Sequence, residues 1–334
     1  MALHDFTNLK ATVVRYAMEG LTTHVNDRWR LFTNVHTDNV SQLSVRSMTG
    51  IAEPSAWDFD GENSSPARFD NLPVSRLDSY NKLDLAYSTY GLSVHISRYD
   101  VMDLGATGPG GVVGMASQKL GGAVAHHINN LAYSNIAGAF AGSGFPGSRA
   151  LCDTLHTTTG SARSNKLTSV LDRTALMTAI TTGKRFKSFS QLFTPYFDAK
   201  MTLVVSPELE GAAHEILASQ FNRSNDLRDL DSTTEVSGAS MAGQGSEFGM
   251  QANALSYING GTSIDLVVSS HLSDENDWFL VSQQEKPLHM HIRSQPLFTV
   301  DQEPTDRSTR ISVDYGIATG HGPAPDGIVG SSVT

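Results

Sequence analysis

His289 and His291 are the two side chains whose spacing best suits metal binding. They lie two residues apart in a stretch that is typical of a strand, so both imidazoles face the same side of a sheet. Two imidazoles on one face can bind zinc, but a zinc site takes three or four protein ligands. The sequence offers no third ligand at a suitable spacing. We therefore predict no metal and no cofactor, with a small metal-dependent enzyme kept as an alternative of a different class.

The segment GATGPGGVVG, from Gly105 to Gly114, has the glycine content of a phosphate-binding loop. A Walker loop needs a lysine after its glycines and a dinucleotide site needs an acidic residue further on, and neither follows here. A turn at the start of a helix explains the segment better. Downstream, His126 and His127 are about 100° apart on a helix, so they do not converge on one site.

The remaining reactive side chains have simpler explanations. Ser240 in GASMAG lacks the second glycine of a nucleophile elbow. Asp274, Glu275 and Asp277 are typical of a solvated turn rather than a calcium site. Cys152 stands beside an aspartate, without an electropositive neighbour in sequence to activate its thiol. We predict no catalytic residue, and a protein that is not an enzyme.

Composition narrows the class of protein further. The 334 residues include 24 Lys plus Arg and 34 Asp plus Glu, a net charge of −10. This charge argues against tight binding of nucleic acid through phosphate neutralisation, but it suits a surface that lies near DNA without holding it. The single cysteine cannot form an intrachain disulfide, the start MALHDF does not resemble a signal peptide, and no apolar run reaches the ~20 residues of a membrane span. We expect a soluble chain made in a reducing compartment.

The element that organises the chain is a long helix predicted from about Thr107 to Ala141. Pro109 suits its first turn, and glycines with Pro146 follow its end. At ~1.5 Å per residue it would be about 50 Å long. Gly121 and Gly122 indicate where another backbone comes close. Its apolar stripe consists of Val113, Ala116, Leu120, Val124, Ile128 and Leu131.

The sequence of residues 41–84 predicts an extended two-stranded hairpin with a polar tip near Asp60–Pro66. Short apolar pieces alternate with turn formers, and no helical period is sustained. An isolated hairpin is marginal in water, so this one needs a partner surface. Its candidate contact residues are Trp57, Phe59, Phe69 and Leu72.

Other elements follow from local signals. Thr7 is predicted to cap a first helix whose apolar face is Leu9, Val13, Ala17 and Leu21, with Gly20 near its end, and a second helix is predicted from Leu167 to Thr182 with Gly183 after it. Ser206-Pro207-Glu208 is predicted to start a further helix, whereas the tail from Gly320 is expected to be only partly ordered. Strands are predicted at 85–97, 201–205, 264–268, 278–281, 288–292 and 311–318.

Several segments together resemble the major capsid proteins of tailed bacteriophages, close to the Mu-type major head subunit. They occur in a matching order from about Arg98 to Gly320, and the second and third are the most specific. The segments are ISRYDVMDLG before the long helix, LVVSPELEGAAHEILAS at 203–219, IDLVVSSHLSDENDWFLVSQ at 264–283, IRSQPLF, and ISVDYGIATG.

The resemblance implies an α+β chain with the Hong Kong 97-like phage capsid fold. Its parts would be an N-terminal arm (1–40), an extended loop (41–84), a peripheral domain (85–155 and 291–334) that holds the long "spine" helix, and an axial domain (156–290). The predicted hairpin would then be the loop that lies over a neighbouring subunit.

The resemblance also implies a function. The chain would assemble into hexamers and pentamers of an icosahedral shell, enclosing double-stranded DNA without reading its sequence. Its partners would be a portal, a separate scaffolding protein and a decoration protein, and it would be found in the virion capsid after assembly in the host cytoplasm. An encapsulin-like nanocompartment shares this fold, and cargo protein in place of DNA would distinguish it.

Overall fold

The fold is given by a computed structural model that describes residues 3–24, 27–40, 42–48, 79–100, 111–141, 149–158, 161–185, 195–198, 200–218, 221–223, 250–252, 264–272, 274–302, 308–322 and 325–333. Its helices are α1 (Leu3–His24), α2 (Val112–Ala137), α3 (Arg173–Arg185) and α4 (Glu210–Ala218). Its strands are β1 (Thr33–His36), β2 (Gln42–Met48), β3 (Ser79–Ala86), β4 (Ser88–Ile96), β5 (His156–Thr158), β6 (Ser161–Arg163), β7 (Lys166–Leu167), β8 (Met201–Val205), β9 (Phe221–Arg223), β10 (Met250–Ala252), β11 (Ile264–Val268), β12 (Trp278–Ser282), β13 (Leu288–Gln302), β14 (Thr309–His321) and β15 (Ile328–Ser331). The α+β prediction is confirmed.

The spine helix is α2, and its apolar stripe is confirmed. Val113, Leu120, Val124 and Ile128 are buried, whereas Ala116 and Leu131 are partly buried against the same core. The predicted ends were wrong. Gly111 is extended (φ −74°, ψ 145°), so the helix begins at Val112, and it ends at Ala137 before a 3-10 turn over Gly138–Phe140. Its 26 residues span about 39 Å.

Helix α1 crosses the spine helix at two glycines. A Cβ on Gly121 would overlap the carbonyl oxygen of Ala17, and a Cβ on Gly20 would overlap that of Gln118. The prediction of a close backbone at Gly121 is confirmed, but Gly20 lies inside α1 and does not end it. Thr7 also lies inside α1, so it is not the cap. Among the described residues, no helix is long and apolar enough to cross a membrane.

A four-stranded sheet with the order β1-β13-β14-β4 packs on these two helices. Along β14, Ile311 and Val313 are buried while Arg310 and Asp314 are exposed, the alternation of a sheet with one solvated face. Strand β13 runs ten residues beyond its predicted end at Ile292, to Gln302. Its pairing with β14 shifts register between Ile292 and Leu297, and this irregularity accommodates Pro296 within a strand.

A five-stranded sheet has the order β11-β8-β12-β15-β7, and its three inner strands are buried on both faces. Leu203 and Val205 pack with α3 and α4, whereas Val204 and Phe279 face the end of the spine helix, where the Phe140 ring lies 4.9 Å from that of Phe279. All five residues of β8 are therefore buried. A single sheet thus separates two apolar cores.

The last strand, β15, lies in the tail that was expected to be only partly ordered. Ile328–Ser331 lies between β12 and β7 and is buried throughout, so the expectation of a partly ordered tail was wrong there. Gly327 enters the strand with φ +83°, a conformation that glycine adopts without strain. These residues join the sheet built from residues 166–282 rather than β13 and β14.

The starts of α3 and α4 differ in part from their predictions. Helix α3 begins at Arg173, after Asp172 accepts a hydrogen bond from the Ala175 amide, while Leu167 belongs to β7 and Gly183 lies inside the helix. The predicted helix start at Ser206-Pro207-Glu208 is a 3-10 turn that leads into α4, and Ser206 is extended, as an N-cap residue is. Its hydroxyl does not cap the helix, because it donates to the Glu275 carbonyl at 2.6 Å.

Candidate assembly interface

Strands β2 and β3 form the base of the predicted hairpin. They pair antiparallel from Gln42 with Ala86 to Met48 with Ser79, which confirms the two-stranded base. The Ser44 hydroxyl adds a 2.5 Å hydrogen bond to the Asp84 carboxylate across the pair. Trp57, Phe59, Phe69 and Leu72, with the predicted tip, lie outside the described residues, so their contact role stays a prediction.

The root of the hairpin is held against the body by two side chains. Leu85 is 3% exposed, and the Arg293 guanidinium lies 4.2 Å from the centre of the Tyr87 ring. Tyr87 is the single residue between β3 and β4, so the chain changes from one sheet to the other there. Gly316 of β14 lies close beneath that ring, where a Cβ would come within 3.1 Å. A fixed root and a separate two-stranded sheet suit a hairpin that reaches another surface.

His36 of β1 meets one of the two histidines that were predicted to share a face. His36 Nε2 lies 2.9 Å from His289 Nδ1, and His291 Nε2 lies 2.8 Å from the Asp38 carbonyl oxygen. Burial lowers the pKa of His289 to about 4 and also lowers that of His36. Among the residues that the structure describes, no group of three ligands could hold a metal ion. These imidazoles instead bind each other and the backbone.

The neighbouring histidines of the spine helix diverge, as predicted. His127 Nδ1 lies 2.6 Å from the Tyr315 hydroxyl, so His127 joins the spine helix to β14. Burial raises the pKa of Tyr315 to about 12. His126 instead points to His271, with 5.0 Å between the ring centres.

The structure describes four of the other side chains that were weighed for reactivity in the sequence. Cys152 is 1% exposed, and burial raises the pKa of its thiol. Asp274 and Glu275 are exposed, as a solvated turn requires. Asp277 is buried, so that interpretation was wrong for it, and burial raises the pKa of its carboxyl group. Ser240 lies outside the described residues.

Several exposed apolar side chains are further candidates for contacts between subunits. Val14 and Met18 lie one turn apart on α1, Met115 lies on the first turn of the spine helix, and Leu297 on β13 is 60% exposed. None of these four residues was predicted from the sequence to be a contact. Helical spacing places Val14 and Met18 together, but it does not reveal that their face is left uncovered.

This combination of a long helix packed on a sheet, a second sheet and an anchored hairpin is the fold of phage capsid subunits. The capsid of Ralstonia phage GP4 matches with a TM-score of 0.54 and 10% identity, over 92% of this chain and 88% of that chain. The mature capsid of bacteriophage PhiM1 matches with a TM-score of 0.54 and 13% identity, over 93% and 87%. A virus-like particle from Pyrococcus furiosus matches with a TM-score of 0.51 and 10% identity, over 96% and 98%. At these identities the likeness shows the fold alone.

The sequence itself identifies the family. Residues 85–330 match the family described as phage capsid protein, and the chain belongs to that family. No curated protein matches the chain. The predicted resemblance to phage capsid proteins, which ran from about Arg98 to Gly320, is confirmed.

Proposed function

We propose that this chain is the major capsid protein of a tailed bacteriophage, assembling into the hexamers and pentamers of an icosahedral shell. The observation that carries the proposal is the family match over residues 85–330. The likeness of fold over more than nine-tenths of the chain supports it. The role is structural, with no catalytic step.

We further propose that the four parts implied by the resemblance have their expected roles in the shell. These parts are the N-terminal arm (1–40), the extended loop (41–84), the peripheral domain (85–155 and 291–334) and the axial domain (156–290). The hairpin at 41–84 would lie over a neighbouring subunit through Trp57, Phe59, Phe69 and Leu72. The separate pairing of β2 with β3 and the anchored root at Tyr87 support this role. A spine helix between two sheets would give each subunit a stiff body.

The enclosed molecule in this proposal is double-stranded DNA, held without sequence readout. The net charge of −10 supports enclosure rather than binding, because an acidic surface does not neutralise phosphates. A portal, a separate scaffolding protein and a decoration protein would complete the particle, and the host cytoplasm would be the place of assembly.

Electron microscopy of the full chain, expressed with and without co-expressed head proteins, tests the proposal. We expect icosahedral particles, or rings of five and six subunits, in the megadalton range by light scattering. A protein that stays near its 35.9 kDa chain mass under all these conditions would contradict a shell. Nuclease-protected double-stranded DNA in particles from lysed host cells would support a phage head, whereas particles filled with a second protein would indicate a nanocompartment.

A further inference from the structure

The short strand β1 is attached to the body beside three histidines. It runs parallel to β13 at the edge of the four-stranded sheet, with His36 opposite His291 and Asn34 opposite His289. Alternate residues of a strand face one side, so His289 and His291 stand next to each other and His36 lies beside both. A four-residue edge strand gains little from backbone pairing alone. Phe32, just before the strand, and Val35 within it pack on the core, so the side-chain contacts at His36 bear on whether its far end stays attached.

The contact between His36 and His289 is one hydrogen bond between two imidazole rings. Their planes are 11° apart, their centres 5.2 Å apart, and the facing nitrogens 2.9 Å apart. This is the edge-to-edge geometry of an N–H group donating to a bare nitrogen, and it requires that one facing nitrogen carries no proton. When both rings are charged, both facing nitrogens hold a proton, and repulsion replaces the bond.

His291 makes a second contact, with the chain just after β1. It is fully buried, and its Nε2 lies 2.8 Å from the Asp38 carbonyl oxygen. A carbonyl oxygen can only accept, so Nε2 holds the proton of the neutral ring. Nδ1 is buried and has no hydrogen-bond partner among the described residues.

The charged groups near His36 and His289 stabilise the protonated rings only in part. The Asp38 carboxylate raises the pKa of His36, but burial outweighs it, and the pKa of His36 is lowered. On the other side, the Lys286 ammonium donates to the Arg30 carbonyl at 2.6 Å, where β1 is about to begin. From β14, His321 lies opposite Leu288 and its ring is bonded to the Asn135 carbonyl at 2.8 Å. One carboxylate thus faces several cationic or protonatable groups.

We propose that His36 and His289 form an acid-sensitive latch, in which protonation of both rings detaches β1 from β13 and frees the chain that leads into the hairpin at Gln42. The detached state exposes the rings and binds more protons than the attached state. Attachment is therefore strongest above the ordinary histidine pKa of about 6.5, and it weakens as pH falls from there towards about 4, the pKa of buried His289. Within this window His36 and His289 can each change the ratio of attached to detached states by up to about tenfold per pH unit. The effect on a shell rests on the proposed function, because only there is the hairpin a contact between subunits.

Hydrogen–deuterium exchange on the unassembled full chain tests the latch. The measured quantity is the protection factor of the amides of β1, corrected for intrinsic exchange, with the amides of β14 as an internal reference. We expect the β1 value to fall by at least about tenfold between about pH 7 and about pH 4.5, while the β14 value stays constant. Unchanged protection of β1 at the acidic pH would overturn the proposal.

Three Gln variants separate the effect of histidine titration from the effect of side-chain packing. His36→Gln and His289→Gln keep an amide that can donate and accept but does not titrate, so we expect the acid-induced loss to shrink to less than about threefold. The matched control is His95→Gln, at an exposed histidine on β4, which should behave as the parent chain. The same midpoint in all three variants would refute the role of the cluster. A Gln variant with β1 already unprotected near neutral pH would support it, since it shows that this bond holds the strand. The measurement needs no shell, so its failure is distinct from a failure of assembly.

Discussion

At the scale of single residues, Asn165 connects three segments of the chain. It is fully buried, and its side-chain nitrogen lies 2.9 Å from the Leu151 carbonyl and 3.2 Å from the Ile328 carbonyl. Its side-chain oxygen accepts from the Asp153 amide and from His156 Nε2, both at 3.0 Å. One amide group therefore fixes the segment before β5 to the start of β15.

We predict that Asn165→Ala lowers the free energy of unfolding by about 2–4 kcal/mol, because buried donors and acceptors lose their partners. Urea unfolding of the unassembled chain, followed by circular dichroism, measures this change. Ser164→Ala is the matched control, since Ser164 is the exposed neighbour and makes one hydrogen bond, to the Lys166 carbonyl. Its cost should stay below about 1 kcal/mol. Equal losses in the two variants would contradict the role assigned to Asn165.

The period of two along a strand was enough to predict that His289 and His291 face one side. It gave no information on His36, which lies 253 residues before His289 and meets it only because β1 pairs with β13. Asn165 was missed for a similar reason. Its partners Leu151 and Ile328 come from opposite sides of it in sequence, and a lone polar residue between short strands carries no periodic signal.

At the scale of elements, the crossing of α1 over the spine helix depends on the absence of two side chains. Gly20 and Gly121 each face a carbonyl oxygen of the other helix. The close approach buries Val13 and Ala17 against the stripe of the spine helix. Helix α1 thus obtains the packing partner that a terminal helix needs.

Gly121→Ala should push the two helices apart and lower the free energy of unfolding by about 2 kcal/mol or more, since a methyl group in a full contact strains both backbones. The control is Gly211→Ala in α4, where a Cβ would meet nothing within 4 Å. That change should be neutral or stabilise by up to about 1 kcal/mol, the helix preference of Ala over Gly. Thermal unfolding of both variants measures the difference, and a tolerated Gly121→Ala would disprove the close crossing.

Periodicity predicted the elements well and their ends poorly. The apolar stripe of the spine helix repeats over many residues, so the prediction of this helix did not depend on any single residue. Single-residue signals failed at Thr7 and Gly183, since both lie inside helices that continue through those positions. Strand β15 was missed because its Gly and Ser residues are typical of a loose tail, and only its place between β12 and β7 makes it a strand.

The position of β15 predicts that the carboxyl-terminal residues are needed for folding. Deleting 328–334 removes an inner strand and exposes the edges of β12 and β7, so we expect insoluble protein. Deleting only 333–334 leaves the strand intact and should leave the chain soluble. The soluble fraction after expression, with size-exclusion chromatography of that fraction, compares the two deletions. A soluble, folded chain without 328–334 would show that the other four strands suffice.

At the scale of the whole molecule, the body and the hairpin differ in how their apolar side chains are covered. The two cores are built from α1, the spine helix, both sheets, α3 and α4, and the five-stranded sheet is shared between them. The hairpin base instead forms a sheet of two strands, and four large apolar side chains are predicted beyond it. Burial of one such side chain contributes about 2–3 kcal/mol, and a closed shell repeats that contact at every subunit. Folding should therefore depend on the body, and shell closure on the hairpin.

Replacing Pro54–Leu72 with a short Gly/Ser linker separates these two requirements. We expect a folded, soluble chain that no longer closes into shells, because Trp57, Phe59 and Phe69 are removed while the cores of the body stay complete. Circular dichroism reports the fold and electron microscopy the particles. The matched control replaces only the predicted polar tip, Asp60–Pro66, with a linker of equal length, and it should still assemble because the four candidate contacts remain. Normal particles from the larger replacement would refute the contact role of the hairpin, and loss of folding would show that these residues belong to the body.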